Sequence, residues 1–180
     1  MCGRFSLKST MQAIEDEFSI EESDITLEPR YNIAPTQNVA VIIQDKGRKL
    51  TAFHWGLIPS WVKDPAIGTD MINARSETLL EKPSFKNAFK KRRCLIIADG
   101  FFEWKKSGQE KIPMYIHLKT GKPFAFAGIW ETWKSPDGKL FATYFTVTGA
   151  GSTVDNKLWG LTVRRSDRRG LDVVQGLALG

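Results

Sequence analysis

Cysteine and histidine are scarce in this chain, with two of each among 180 residues. Two cysteines make no disulfide framework, and with two histidines they offer too few ligands for a metal enzyme. No run approaches the ~20 apolar residues that a membrane helix needs. The start, MCGRFSLKST, lacks the apolar core of a secretory signal, so the expectation is a cytoplasmic protein with free thiols and no membrane partner. Internal repeats and low-complexity stretches are also missing. What is there is ordinary for a soluble protein: 42% hydrophobic residues and 26% charged, in a length that suits one domain with a tail.

The net charge of +6 is unevenly placed. Residues 1–81 carry 8 Lys/Arg against 12 Asp/Glu, whereas residues 82–111 carry 9 against 3 and the remaining 69 carry 9 against 5. A basic middle in a near-neutral protein fits a polyanion on one face, and equally fits a solvated patch.

Periodicity places a helix over residues 9–20, with Ser9 and Gln12 as a capping box and Met11, Ile14 and Phe18 on one face. Residues 24–38, with Pro29 and Pro35, read as an irregular connection. Strands are expected at 39–44 and 49–55 around a hairpin loop containing Gly47. Residues 56–72 read as a loop, and short helices are expected at 74–80 and 84–90. Further strands are expected at 93–98, 101–105, 114–118, 124–130 and 141–148. About seven strands without regular βαβ alternation predict an α+β fold: a single β-rich domain whose mostly antiparallel sheet curls or closes like a barrel, with a few short helices. The domain is expected over residues 1–150. Residues 151–180, glycine-rich and carrying Arg164, Arg165, Arg168 and Arg169, are expected to form a divergent, loosely packed tail.

Cys2 follows the initiator methionine, and small residues at positions 2 and 3 favour removal of Met1. The mature chain then begins with an α-amine and a thiol on adjacent carbons. Such an amine forms a Schiff base with an aldehyde, and the thiol can close a thiazolidine ring. No internal cysteine can do this, although a cysteine in a frayed terminus needs no function. Trp55 and Trp61 fall in WGLIPSW, where packing demands aromatics least; residues 73–78 offer amide, guanidinium and hydroxyl groups suited to phosphate and sugar oxygens. Asp99-Gly100-Phe101-Phe102-Glu103-Trp104 sets Glu103 among three aromatics, a setting for a general acid or base. Each segment also has a plain reading: a core tryptophan pair, a helix start capped by Asn73, an outward-facing Glu on a strand.

Taken together, MCGRF, YNIAPTQ at 31–37, WGLIPSW at 55–61, INARSET at 72–78 and ADGFFEWKK at 98–106 resemble the SOS response-associated peptidase family, whose members process abasic sites and crosslink to damaged single-stranded DNA. IPMYIHL and FAGIWE match in character and order. The resemblance covers roughly residues 2–148. It implies a β-rich α+β domain with a positively charged channel for single-stranded DNA, acting as a monomer without cofactor or metal, cytoplasmic and associated with the nucleoid when bound. It further implies that Cys2 attacks the ring-opened abasic aldehyde and ends as a thiazolidine, with Glu103 in proton transfer. Asn73 would hold the reacting sugar. Arg4 and Arg75 would bind flanking phosphates, Trp61 would stack or wedge beside the lesion, and Asn32 and Pro35 would shape the pocket.

The sequence departs from the family in one place that matters. The family's catalytic histidine, in a His-x-Arg-Met/Arg-Pro motif after the strand ending near Thr148, is missing; Ser166 of Ser166-Asp167-Arg168-Arg169-Gly170 stands where it would fall. The histidines present, His54 and His117, belong to upstream strands. Two alternatives follow: a non-catalytic single-stranded DNA-binding relative, or a cysteine peptidase limited to self-processing, which lacks the base that a thiol nucleophile requires.

Overall fold

The computed structural model describes residues 3–75, 79, 81, 83–148 and 171–175, with residues 83, 84, 86, 148 and 171–175 described by their backbone. Cys2, residues 76–78 and most of the tail, Ser166 included, lie outside the described residues.

Near-continuous apolar runs build the centre of the molecule. Strands β4 (Asn38–Gln44) and β7 (Arg93–Ala98) are buried along most of their length, as expected of strands covered on both faces. They pair antiparallel, Ile42 opposite Leu95. β4 forms the expected hairpin with β5 (Arg48–Trp55), and β7 pairs with β10 (Phe124–Lys134), which pairs with β11 (Leu140–Thr148). β11 then meets β5 in parallel through Thr143–His54 and Tyr144–Trp55. That last contact returns the chain of pairings to its start, so five strands close a barrel. Two short strands flank it: β2 (Glu22–Ser23) on β5 and β6 (Asn73–Arg75) on β11, both parallel.

A second sheet runs β12-β9-β8-β1-β3, all antiparallel. Its members are β1 (Arg4–Leu7), β3 (Arg30–Ile33), β8 (Gly100–Ser107), β9 (Glu110–Leu118) and β12 (Leu171–Gln175). Phe5 couples the two sheets, with its ring 5.2 Å from Trp55 of the barrel and 6.2 Å from Phe126. Phe101 adds edge contacts to Phe124 and Phe126. The α+β, β-rich and barrel-like fold expected from the sequence is the fold present.

Three local expectations need correction. The first helix, α1 (Met11–Phe18), is capped by Thr10, whose hydroxyl accepts from Ala13 N–H. Ser9 is drawn instead to Asp99, so it is unavailable as a cap. The helix expected at 74–80 begins as strand β6, because pairing with β11 satisfies Asn73–Arg75 better than an isolated helical turn would. The 24–38 connection contains β3. The helix expected at 84–90 is present as α2 (Pro83–Lys91), and the 56–72 loop contains one 3₁₀ turn, Pro65–Thr69.

Candidate functional site

Four of the motif segments meet at Trp55, which is fully buried at the end of β5. Its carbonyl accepts from Thr36 N–H at 2.8 Å and its own N–H donates to Gln37 at 3.0 Å, which holds the YNIAPTQ turn. The indole N–H donates to the Ile72 carbonyl at 3.0 Å, so the residue before Asn73 is fixed from the same residue. The ring packs on Phe5, three positions after Cys2. Trp55 ends the strand expected over residues 49–55 and joins these segments.

The YNIAPTQ turn is closed by further bonds. Arg30 donates to the Asn38 carbonyl at 2.5 Å and to the Gln37 side chain, which also accepts from Ala34 N–H at 3.2 Å. Thr36 sits at φ 69°, a strained conformation for a β-branched residue and one that collects at functional sites. Asn32, on β3, accepts a hydrogen bond from the Arg4 guanidinium at 2.9 Å. Arg4 and Asn32 are thus brought together directly, with Pro35 in the turn beyond.

Glu103 is on β8, one step past Phe102, the residue that pairs with Arg4. Strand alternation sets it on the same face as Phe101, which packs against the barrel, and on the opposite face from Arg4. It is half-buried. Asn73 belongs to the other sheet, where its side-chain oxygen accepts from the Thr146 hydroxyl; the Thr146 backbone N–H donates to the Ile72 carbonyl at 3.1 Å. Arg75, opposite Thr148 at the end of β6, is exposed. The candidate residues are thus divided between the sheets, Arg4, Asn32 and Glu103 on one and Asn73 and Arg75 on the other.

Trp61 is 62% exposed, in a turn where Val62 N–H donates to the Pro59 carbonyl. Two bonds seat this loop on the barrel: Ile58 N–H to the Thr143 hydroxyl at 2.9 Å, and the Trp133 indole to the Val62 carbonyl at 2.7 Å. Gly56, at φ 133°, is needed upstream, because a Cβ there would meet the Gly68 carbonyl oxygen at 2.5 Å.

Asp99 was not among the expected site residues, yet it has a decisive place. It sits where the chain crosses from β7 to β8 and is 5% exposed. Its carboxylate accepts from Lys8 N–H, Ser9 N–H and the Ser9 hydroxyl, and its own N–H donates to the Ser6 carbonyl at 2.8 Å. The Ser6 hydroxyl in turn bonds the Tyr115 hydroxyl at 2.7 Å. Burial pushes the Tyr115 phenol up from its ordinary value. Gly100 makes this contact possible, since a Cβ there would lie 2.3 Å from the Tyr115 ring. The four-residue strand that follows Cys2 is thus pinned at its far end by two polar clamps. In sequence, Asp99 was visible only as a member of the DGFFEW segment.

Neither histidine stands beside Glu103. His117 pairs with Gly100, three residues back along β8, and its Nδ1 lies 2.9 Å from the Leu118 carbonyl oxygen. His54 lies in the barrel wall between Asn38 and Thr143, and burial lowers it from its ordinary value. Among the described residues no group of three His, Cys, Asp or Glu side chains could hold a metal ion, and no helix is long and apolar enough to cross a membrane.

With these segments converging, the comparison with known proteins decides the family. The family model for SOS response associated peptidase (SRAP) matches residues 1–158. The chain belongs to the SRAP family. It is 47% identical over 152 residues to abasic site processing protein YoqW of Bacillus subtilis, covering 82% of this chain and 68% of YoqW. Abasic site processing protein YedK of Escherichia coli is 36% identical over 141 residues, covering 73% of this chain and 60% of that protein. HMCES of Xenopus tropicalis, also named an abasic site processing protein, is 33% identical over 156 residues, 70% of this chain and 47% of that one. A crystal structure of a Bacteroides thetaiotaomicron protein has the same fold, with a TM-score of 0.81 at 24% identity over 97% of this chain and 91% of the other.

Proposed function

We propose that this SRAP protein processes abasic sites in single-stranded DNA by covalent capture through Cys2. The convergence of its motifs on Trp55 carries the reading: the segment after Cys2, the turn holding Pro35, and the residue before Asn73 all contact one buried residue, through its ring, its backbone and its indole N–H. The names of its relatives support abasic-site processing as the activity class.

Once Met1 is removed, the free α-amine of Cys2 attacks the aldehyde carbon of the ring-opened sugar, and loss of one water gives an imine. The thiol sulfur then adds to the imine carbon while its proton passes to the nitrogen, closing a thiazolidine with no redox change. Glu103 serves as the acid that helps water leave and as the relay that carries the thiol proton to the nitrogen. Asn73 holds the sugar, Arg4 and Arg75 take flanking phosphates, and Trp61 stacks beside the lesion. Asn32 keeps the Arg4 guanidinium aimed. The protein acts as a monomer.

Positioned proton transfer is worth about 10²–10⁴ in rate, so the absent family histidine makes slow crosslinking the expected behaviour. Time courses with wild type, Glu103→Gln and Ser166→His test the assignment. Glu103→Gln slows capture without greatly weakening DNA binding, and Ser166→His accelerates it. A Glu103→Gln protein as fast as wild type removes the role given to that carboxylate.

A further inference from the structure

The basic stretch at residues 82–111, with 9 Lys/Arg against 3 Asp/Glu, enters the roles given above only through Glu103. Three of its cations, Lys105, Lys106 and Lys111, are exposed on the hairpin formed by β8 and β9. Among the described residues, β1 pairs with β8 at Arg4–Ser6 against Gly100–Phe102, and β12 pairs with β9 at Met114–Leu118. Beyond those positions the two strands pair with each other alone. Their loop is two residues, Gly108 and Gln109, with Gly108 at φ 62°, and so tight a turn fixes the register.

That register sorts the side chains between the two faces. Residues directly opposite share a face, so Arg4, Phe102 and Tyr115 form one row, Trp104 and Pro113 the next, and Lys106 and Lys111 the third. The Phe102 and Tyr115 rings, 5.0 Å apart, and the Ser6–Tyr115 hydroxyl bond fall on this same face. Glu103, Lys105 and Glu110 alternate to the other face. From Phe102 to Lys106 and from Lys111 to Tyr115, the face therefore presents cations and aromatics and no carboxylate.

Lys106 and Lys111 are a like-charge pair directly across the ladder, about 4.5–5.5 Å apart at Cβ, an arrangement that is destabilising by itself. Neither has an ion pair among the described residues. An anion bridging the two removes the repulsion. Trp104, 39% exposed, is the next residue of β8 on this face. Arg4 lies opposite Phe102, which is four residues, or about 14 Å, along the strand from Lys106. Cations spaced along a face with an exposed aromatic suit the repeating phosphates and bases of a single strand better than one small anion.

We propose that Lys106 and Lys111 form a second phosphate site, which holds the single strand flanking the lesion after it passes Arg4. The proposal rests on the DNA reading above and concerns affinity for flanking strand, not the capture step.

The test measures binding of a homopolymeric thymidine oligonucleotide longer than ~16 nucleotides over a series of salt concentrations. Each phosphate contact on a single strand contributes about −0.7 to the salt slope, so Lys106→Gln/Lys111→Gln is expected to bind more weakly with a slope shallower by about 1.4. The gap in Kd from wild type then narrows roughly sevenfold between about 50 and 200 mM salt. Lys106→Arg/Lys111→Arg is expected to keep the wild-type slope. Lys106→Glu places opposite charges across the ladder, so it should bind DNA more weakly than Lys106→Gln while its urea midpoint stays at or above that of wild type. Lys46→Gln, an equal loss of charge on the exposed β4–β5 loop, is expected to leave the slope unchanged. A double variant with the wild-type slope overturns the proposal and leaves the pair to solvent or to a protein partner. So does an equal loss of slope in Lys46→Gln and Lys106→Gln, since the effect would then be one of net charge. Wild type that captures abasic DNA while the double variant keeps its slope fails this proposal alone; wild type that neither binds nor captures the strand fails the functional reading.

Discussion

The barrel wall rests on apolar burial, whereas β1 of the second sheet combines apolar burial with polar contacts to residues distant in sequence. Across β4, β7 and β10 the contacts are apolar and fully buried: Val41, Ile42, Cys94, Ile96, Ile97 and Ile129 line neighbouring strands with almost no exposure. β1 is four residues long; it buries Phe5 and Leu7 in the same core and adds polar contacts along its length, Arg4 with Asn32, Ser6 with Tyr115, and the chain after Leu7 with Asp99. Apolar burial is non-directional and supplies stability, whereas hydrogen bonds to a buried carboxylate fix geometry to a fraction of an ångström. A chain terminus frays unless it is tied down. The difference teaches that the barrel supplies buried apolar surface while the polar clamps fix the path of residues 4–9.

That contrast makes separable predictions. Ile96→Ala, which opens a cavity in the barrel, is expected to cost about 2–5 kcal/mol in denaturant unfolding, while the capture rate per folded molecule stays at the wild-type value. Asp99→Ala leaves three donors without their acceptor and is expected to cost about 1–3 kcal/mol, but here the capture rate falls as well while the DNA Kd holds. Equal capture rates in these two variants would erase the distinction. Tyr115→Phe removes one hydrogen bond to β1, worth about 1 kcal/mol, and should slow capture less than Asp99→Ala does.

The smallest effect is a pH slope from His54. Burial favours its neutral form, so its folded value lies below the unfolded one near 6.5. The unfolded chain then binds more protons just below that pH, and stability falls as the pH drops through 6.5 toward the folded value. His54→Asn should flatten this part of the stability profile, measured by chemical unfolding at a series of pH values.

The difference between the two regions also explains what was legible in the sequence. Strands such as β4, β7, β10 and β11 announce themselves through apolar runs, and their limits agree with the alternation to within a few residues. Their closure into a barrel was visible only as a class, since the parallel β5–β11 contact joins residues nearly 90 positions apart in sequence. Polar clamps leave no periodic trace. Asp99, Tyr115 and Thr146 act through partners on other strands, and nothing in their local sequence names those partners. Ser9 shows the reverse error: its local pattern fits a cap, and a distant carboxylate claims it. Trp55 was legible as the end of a strand and as part of the WGLIPSW motif, while its position as a buried junction depends on three segments that meet only in the fold.

The central proposal is that Cys2, freed by loss of Met1, delivers an amine and a thiol to an abasic aldehyde. Cys94 provides the internal control, because it is fully buried and burial pushes its thiol well above the ordinary range. Intact-mass analysis after incubation with single-stranded DNA bearing one abasic site tests the claim most directly. A heat-stable species with the mass of the protein lacking Met1 plus the oligonucleotide, less one water, is expected for wild type and for Cys94→Ala. Cys2→Ala is expected to give none. A stable adduct with Cys2→Ala, or a wild type that binds the strand without ever gaining its mass, would contradict the account.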